Sequence, residues 1–408
     1  MSELNAPQTK IADTHGGMVV VDAGPGTGKT HTIVERYIRL ISKPDVSPSD
    51  VLLMTFTNNA AEEMDERIKR RMTELKMEKE AKLVMTKTFD AFCLSIVLDS
   101  PDMVSEFFGM EEKLTRAATM QQNDSLKKDY FLRFMDGFLN NRGSDYGDIA
   151  IIASEDPISL MGLINNLMSR GIIPLRKGWF GNKWEEYLKG DTSAILEQLV
   201  ANNEGGKSPN WTVLKKIDDN SSFGKPVQNG DEPVPTEILE MCASEDREDL
   251  FRFIHDVYYE YIRQSIIDNR LTFNLVAIMA LTVLYTKQSV RDRNSFRYLM
   301  VDEFQDTNAN QLMISLMILS EPNLCVVGDW KQGIYGFRYV SIENITKFEA
   351  KAVEYRRFLN DDGNIRVKFH IPEETKLPLD LNYRSSQDII DLAFQCICMK
   401  GSNDEEVD

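Results

Sequence analysis

Two stretches far apart in the chain carry residue types suited to one reaction. Ala23-Gly24-Pro25-Gly26-Thr27-Gly28-Lys29-Thr30-His31 follows a short apolar run, Met18 to Val21. Four breakers, Gly24, Pro25, Gly26 and Gly28, end that run. From Lys29 the pattern turns helical, with Ile33, Tyr37, Ile38 and Ile41 on one side. A strand, a glycine loop and a helix start together make a phosphate cradle. Glycines let backbone N–H groups converge on oxygens without a Cβ in the way, and the helix N-terminus adds positive potential. Lys29 would neutralise β- and γ-phosphates, and the Thr30 hydroxyl would ligate Mg²⁺. Ala23 stands at the first position of G-x-x-x-x-G-K-[ST]. Taken alone, the loop also reads as a glycine turn in a fold without nucleotide. The second stretch is Asp302-Glu303-Phe304-Gln305-Asp306, directly after the apolar run Phe296 to Val301. Adjacent carboxylates at a strand end are costly unless something neutralises them. Nucleotide-bound Mg²⁺ would do so, with Asp302 holding the ion and Glu303 polarising the water that attacks the γ-phosphate. A solvated acidic turn is the competing reading.

Other candidates are more open. The Gln8 carboxamide can pair with N6 and N7 of adenine, or be an exposed glutamine. Phe56 ends an apolar run, where ligands meet parallel α/β sheets; its ring can stack a base or fill core. Trp330, Tyr335 and Phe337 alternate with Lys331 and Arg338. Rings interleaved with cations suit single-stranded nucleic acid, and equally a loop packed on a neighbouring domain.

The elements that must position these groups are legible as apolar runs. Strands are expected at 18–21, 51–56, 83–88, 296–301, 323–327 and 376–381. After 51–56, Thr57 or Asn58 caps a helix with Glu62 and Glu63 in its first turn and Met64 and Ile68 on its apolar face. Phe89 to Cys93 opens another helix with Asp90 as N-cap. Between about 100 and 270 helical patterns dominate, at 126–140, 158–170, 193–202 and 247–267. A polar loop bearing Gly205, Gly224, Pro226, Gly230 and Pro235 divides them. Trp179, Trp184 and Trp211 there read as packing residues or as a nucleic-acid platform. A helix is expected from Gln387 to Cys396, then a disordered acidic tail, Ser402 to Asp408.

Composition sets bounds. At 408 residues the chain has room for two or three domains. The five cysteines are scattered and form no C-x-x-C pair, so reduced thiols are expected. The polar N-terminus carries no signal-peptide pattern, and Leu275 to Tyr285 is too short to span a bilayer, so a core helix and a cytoplasmic protein are expected. A net charge of −17 argues against a uniformly basic nucleic-acid binder while allowing a local basic groove.

In this order the motifs resemble superfamily 1 DNA helicases of the UvrD/Rep/PcrA type. Leu4 to Gln8 is similar to the adenine-reading Q motif, and Ala23 to Thr30 to the phosphate loop. Thr55 to Met64 resembles T-F-T-N-K-A-A-x-E-M, and Thr88 to Cys93 resembles T-F-H-S-F-C. Asp302 to Asp306 matches D-E-x-Q-D, Val327 to Arg338 resembles V-G-D-x-x-Q-S-I-Y-x-F-R, and Asn382 to Ser385 is N-Y-R-S. The resemblance implies an α/β fold: a RecA-like P-loop NTPase domain, a parallel sheet flanked by helices, in two parts, 1–99 and 271–372. A helical domain would be inserted at 100–270, and a second RecA-like domain would start at 373–408. It implies ATP and Mg²⁺ as cofactors, single-stranded or partly duplex DNA as partner, and 3′ to 5′ translocation in a nucleoid-associated protein. Lys29, Glu303, Gln332 and Arg384 would be catalytic, Gln332 as γ-phosphate sensor and Arg384 as arginine finger. Tyr383 would lie on the adenine face. Phe56, Asn58, Phe89, Tyr335, Phe337 and Arg338 would contact DNA. Three departures stand out: Asn59 for lysine, Asp90-Ala91 for histidine-serine, and Gly333 for serine. The family's last two motifs belong to a second RecA-like domain, and the chain stops soon after Arg384. A split or truncated helicase, with a second polypeptide supplying those motifs, is therefore expected. The alternative is a non-catalytic ATP- or DNA-binding subunit of a larger complex.

Overall fold

The computed structural model describes residues 4–115, 118–121, 123–155, 157–181, 248–329, 332 and 343–398. The helix expected at 193–202, the polar loop, Trp184, Trp211, Trp330, Lys331, Tyr335, Phe337, Arg338 and the acidic tail lie outside them.

Six parallel strands form the central sheet: β1 (Met18–Ala23), β2 (Val51–Thr55), β3 (Met85–Thr88), β4 (Tyr298–Val301), β5 (Leu324–Gly328) and β6 (Glu374–Leu379), in the order β6-β1-β5-β4-β2-β3. The sequence explains why the strands read as unbroken apolar runs rather than alternating ones. Side chains alternate between faces, and both faces are covered. Met18, Val20, Leu52, Met54, Leu299 and Val326 enter one apolar cluster. Val19, Val21, Leu53, Met300, Cys325 and Val327 enter a second, on the opposite face.

The second cluster is closed by α1 (Ala6–Asp13), α2 (Lys29–Ile41) and α3 (Asn58–Glu74), through Ile11, Ile33, Tyr37, Met64 and Ile68. The first is closed by α4 (Phe89–Asp99), by a long apolar helix, Phe273–Thr286, and by Ala309–Met317. This cluster continues without a break into the helical region, through Phe108, Phe131, Leu167, Phe253 and Tyr258. The helices expected at 126–140, 158–170 and 247–267 run Asp124–Arg142, Pro157–Ser169 and Glu248–Ile267. Phe273–Thr286 buries every residue from Leu275 to Leu284, as a core helix must. No helix among the described residues is long and apolar enough to cross a membrane.

Several local expectations are corrected. Residues 80–83 form a short 3-10 helix, so β3 starts at Met85 rather than at residue 83. α4 is capped by the Thr88 hydroxyl, which accepts from Ala91 N at 3.1 Å; Asp90 lies inside the first turn. α3 is capped by Thr57, which accepts from Ala60 N, and starts at Asn58, so Glu62 and Glu63 fall beyond its first turn. The stretch at 374–379, expected to open a second domain at residue 373, pairs with β1 instead, in register from Met18–Glu374 to Ala23–Leu379. Its alternating Leu377 and Leu379 bury into the second cluster. Pro378, which has no N–H to give, is tolerated because the strand lies at the sheet edge.

Candidate nucleotide site

Among the described residues, every motif singled out in the sequence, apart from the N-terminal segment, follows the carboxyl end of a sheet strand or the start of the helix beyond it. This is the edge where parallel α/β sheets take ligands. β1 delivers the glycine loop. Gly26 and Gly28 sit at φ +73° and +84°, a region that side chains with a Cβ enter only at a cost. Their surroundings also require glycine. A Cβ on Gly26 would lie 2.6 Å from Arg384 Cβ and 2.9 Å from Asn382 Oδ1; one on Gly28 would lie 2.7 Å from Gln8 Nε2. The loop is further tied by the Thr27 hydroxyl, which donates to Gly24 O at 2.8 Å. Gly28→Ala is therefore expected to lower the melting temperature and weaken ATP binding about tenfold, since left-handed alanine costs roughly 1–2 kcal/mol. A melting curve and ATP titration matching those of the wild type would contradict this.

β4 delivers the carboxylates. Lys29 Nζ lies 3.0 Å from Glu303 Oε2 and 3.2 Å from Oε1, joining residues that the chain separates by 274 positions. Glu303 has φ +50°, one of three positive-φ non-glycine residues among those described. Such a conformation is held only when neighbours over-determine it. Here Phe304 is fully buried edge-on to Phe348, and Gln305 Nε2 donates to Glu303 Oε2 at 2.8 Å. Gln305 Oε1 accepts from Asp329 N at 3.0 Å, and Asp329 Oδ2 accepts from Gln332 Nε2 at 2.7 Å. A hydrogen-bonded path thus runs from Lys29 through Glu303 and Gln305 to the turn after β5, where Gln332 sits. Gly328 packs so closely on Gln305 that a Cβ there would fall 2.4 Å from Oε1.

Asp302 is buried, and its Oδ1 has no hydrogen-bond partner. Burial, and then the charge of Glu303, push its carboxyl up to about 6. An unpartnered buried carboxylate oxygen beside a second carboxylate is a site for a cation. A carboxylate and the Thr30 hydroxyl are hard oxygen donors that suit Mg²⁺. The residues present therefore fit the expected metal.

The two remaining motifs clasp the loop. α1 is capped by Asn5, whose Oδ1 accepts from Gln8 N at 2.8 Å while Gln8 Oε1 accepts from Asn5 N at 3.0 Å. Gln8 Nε2 donates to Thr27 O at 3.2 Å. Gln8 thus reaches the cradle, but both ends of its carboxamide are engaged by the backbone. After β6, Asn382 Nδ2 donates to Pro25 O at 2.7 Å and Tyr383 N to Gly26 O at 2.8 Å. Asn382 Oδ1 accepts from Arg384 N and Ser385 N. Arg384 is exposed beside the loop, and Tyr383 is 61% exposed. His31 lies on the first turn of α2.

The proposed DNA contacts divide. Asn58 is exposed and Phe56 half-buried at the end of β2. Phe89 is buried in the first apolar cluster with Phe56 tilted against it at 6.5 Å, so its ring has no face for a base. Trp179 likewise packs edge-on against His255. Sequence reasoning missed Asn5, Gln305 and Asn382 as site residues. Asn5 had a signal, because Asn followed three residues later by Gln spells a capping box. Asn382 and Gln305 stand inside the N-Y-R-S and D-E-x-Q-D matches, but their partners are distant in the chain and are set by the fold.

A parallel six-stranded sheet that hands a glycine loop and a pair of carboxylates to one edge defines a RecA-like P-loop nucleotide-binding domain. Residues 4–353 match the UvrD/REP helicase N-terminal domain, and the chain belongs to that family. It is similar to the ATP-dependent DNA helicase PcrA of Staphylococcus aureus, with 25% identity over 400 residues, 97% of this chain and 40% of that protein. The PcrA of Staphylococcus epidermidis is 26% identical over 398 residues, with the same coverage. The chain spans 40% of the length of these relatives.

Proposed function

We propose that this chain binds and hydrolyses ATP as the front part of a DNA helicase that moves 3′ to 5′ on single-stranded DNA. The observation that carries the reading is the ion pair between Lys29 and Glu303, which brings phosphate loop and carboxylate motif within one triphosphate's reach. ATP would exchange this pair: Lys29 turns to the β- and γ-phosphate oxygens, and Glu303 is released to face the attacking water. As water oxygen bonds to the γ-phosphorus and the bond to the bridging oxygen breaks, Glu303 takes the water proton. Asp302 and Thr30 would hold Mg²⁺, which when bound neutralises charge on the phosphate oxygens. Gln305 would fix the Glu303 carboxylate, and Gln332, hydrogen-bonded to Asp329, would respond to the γ-phosphate. Arg384 would add positive charge from the clasp. DNA would meet the same sheet edge at Phe56 and Asn58.

Stepping requires a second α/β body that moves against this one, and the relatives are more than long enough to contain it. The test is phosphate release from ATP·Mg²⁺ with and without single-stranded DNA. A rate above that of Lys29→Ala, raised by DNA, supports the reading. ATP binding with release no faster than that of the variant would make the chain a non-catalytic sensor.

A further inference from the structure

The hydrogen bonds around the glycine loop close on themselves. Asn5 Nδ2 donates to the Tyr383 hydroxyl at 2.6 Å. Tyr383 N donates to Gly26 O at 2.8 Å, the next residue, Thr27, accepts from Gln8 Nε2 at 3.2 Å, and Gln8 N donates to Asn5 Oδ1 at 2.8 Å. Asn5 is therefore fully used. Its oxygen caps α1 and its nitrogen holds a phenol from the far end of the chain. The consequence falls on Tyr383. Its backbone is pinned to the loop and its hydroxyl to Asn5, while the residue stays 61% exposed. A ring tethered at both ends and open at its face is a rigid platform, set one residue's reach from the cradle. A planar base attached to phosphates in that cradle has this ring within range, and an aromatic ring stacks a base of any kind through its π-face.

We propose that Asn5 is a positioning residue for nucleotide binding, holding Tyr383 so that its ring meets the base of the bound nucleoside triphosphate. The inference deepens the nucleotide reading above and rests on it. Asn5 touches no substrate; it acts through the tyrosine. Without its donor, the cap oxygen can still be supplied by a shorter side chain, but the ring regains rotamer freedom, and binding must then restrict it.

The experiment uses the full chain and two probes, ATP and inorganic tripolyphosphate, each titrated with Mg²⁺. Asn5→Ser keeps a good cap but is too short to hold the phenol; Tyr383→Phe keeps the ring and loses the hydroxyl. Each variant is expected to weaken ATP about fivefold, the size of one hydrogen bond, and to leave tripolyphosphate binding unchanged. The double variant should be no weaker than either single one, because both remove the same link. Unchanged ATP affinity in Asn5→Ser overturns the inference. So does an equal loss for ATP and tripolyphosphate, which would make Asn5 a helix cap and nothing more. If the wild-type chain binds neither probe, the nucleotide reading itself falls, an outcome distinct from the other two.

Discussion

Lys29→Ala is expected to lose ATP binding and hydrolysis together, whereas Glu303→Gln should lose hydrolysis alone, by roughly 10²–10⁴-fold, the contribution of a positioned general base. The contrast follows from the ion pair. Lys29 is largely buried beside the loop, with Glu303 as its ion-pair partner. Removing the lysine takes away the charge that meets the phosphates, with a loss on the order of 10³-fold in rate. It also leaves Glu303 facing Asp302 without a cation between the elements. Glutamine at 303 does the opposite. It keeps the hydrogen bond from Gln305 by its carbonyl oxygen, cannot take a proton from water, and frees Lys29 from a competing anion. ATP affinity in Glu303→Gln should thus equal or exceed that of the wild type. Titration with a fluorescent ATP analogue and a phosphate-release assay on both variants separate the two effects. Hydrolysis by Glu303→Gln at the wild-type rate would remove Glu303 from the chemistry and send the search for the base elsewhere.

The parts of this arrangement legible in the sequence are those that depend on neighbours in the chain. β1, β2 and β5 are short apolar runs because both faces of the sheet are covered, and β1 ends at Gly24 and Pro25, which cannot extend it. The phosphate loop is legible for the same reason: strand, glycines and helix are contiguous. What was misread depends on partners far away. Phe89 has the same type and position whether its ring meets a base or the core, and only packing of Phe273–Thr286 and its neighbours on α4 decides for the core. Strand β6 carries an alternating Leu377–Leu379 pattern that fits any half-buried strand. Its place beside β1 is set by pairing across more than three hundred residues. At α4 the competition between Thr88 and Asp90 for the cap was decided by where β3 ends. The Gln305 bridge and the Asn5–Tyr383 contact lie at the extreme of this scale, being made wholly of long-range geometry.

Asp302→Asn is expected to make the nucleotide-free chain melt at a higher temperature while nearly abolishing Mg²⁺-dependent hydrolysis. The carboxylate is buried, one oxygen has no partner, and Glu303 adds a like charge beside it. A buried charge without full compensation costs stability, and the neutral amide of nearly equal shape removes that cost. Sites that bind cations are destabilised in this way before the cation arrives, so losing function should raise stability. The amide, however, is a poor ligand for a hard divalent ion. Metal neutralisation of phosphate charge is worth several kcal/mol, so its loss should lower the rate by roughly 10²-fold or more. Two measurements decide the matter together: a melting curve without nucleotide, and phosphate release across a Mg²⁺ series. Because ligand binding to the folded state stabilises it by mass action, ATP·Mg²⁺ should raise the melting temperature of the wild type far more than that of Asp302→Asn. Equal shifts in the two proteins would mean that the ion is held by other oxygens. The orphaned oxygen at 302 would then be a cost of the turn after β4 rather than a metal ligand.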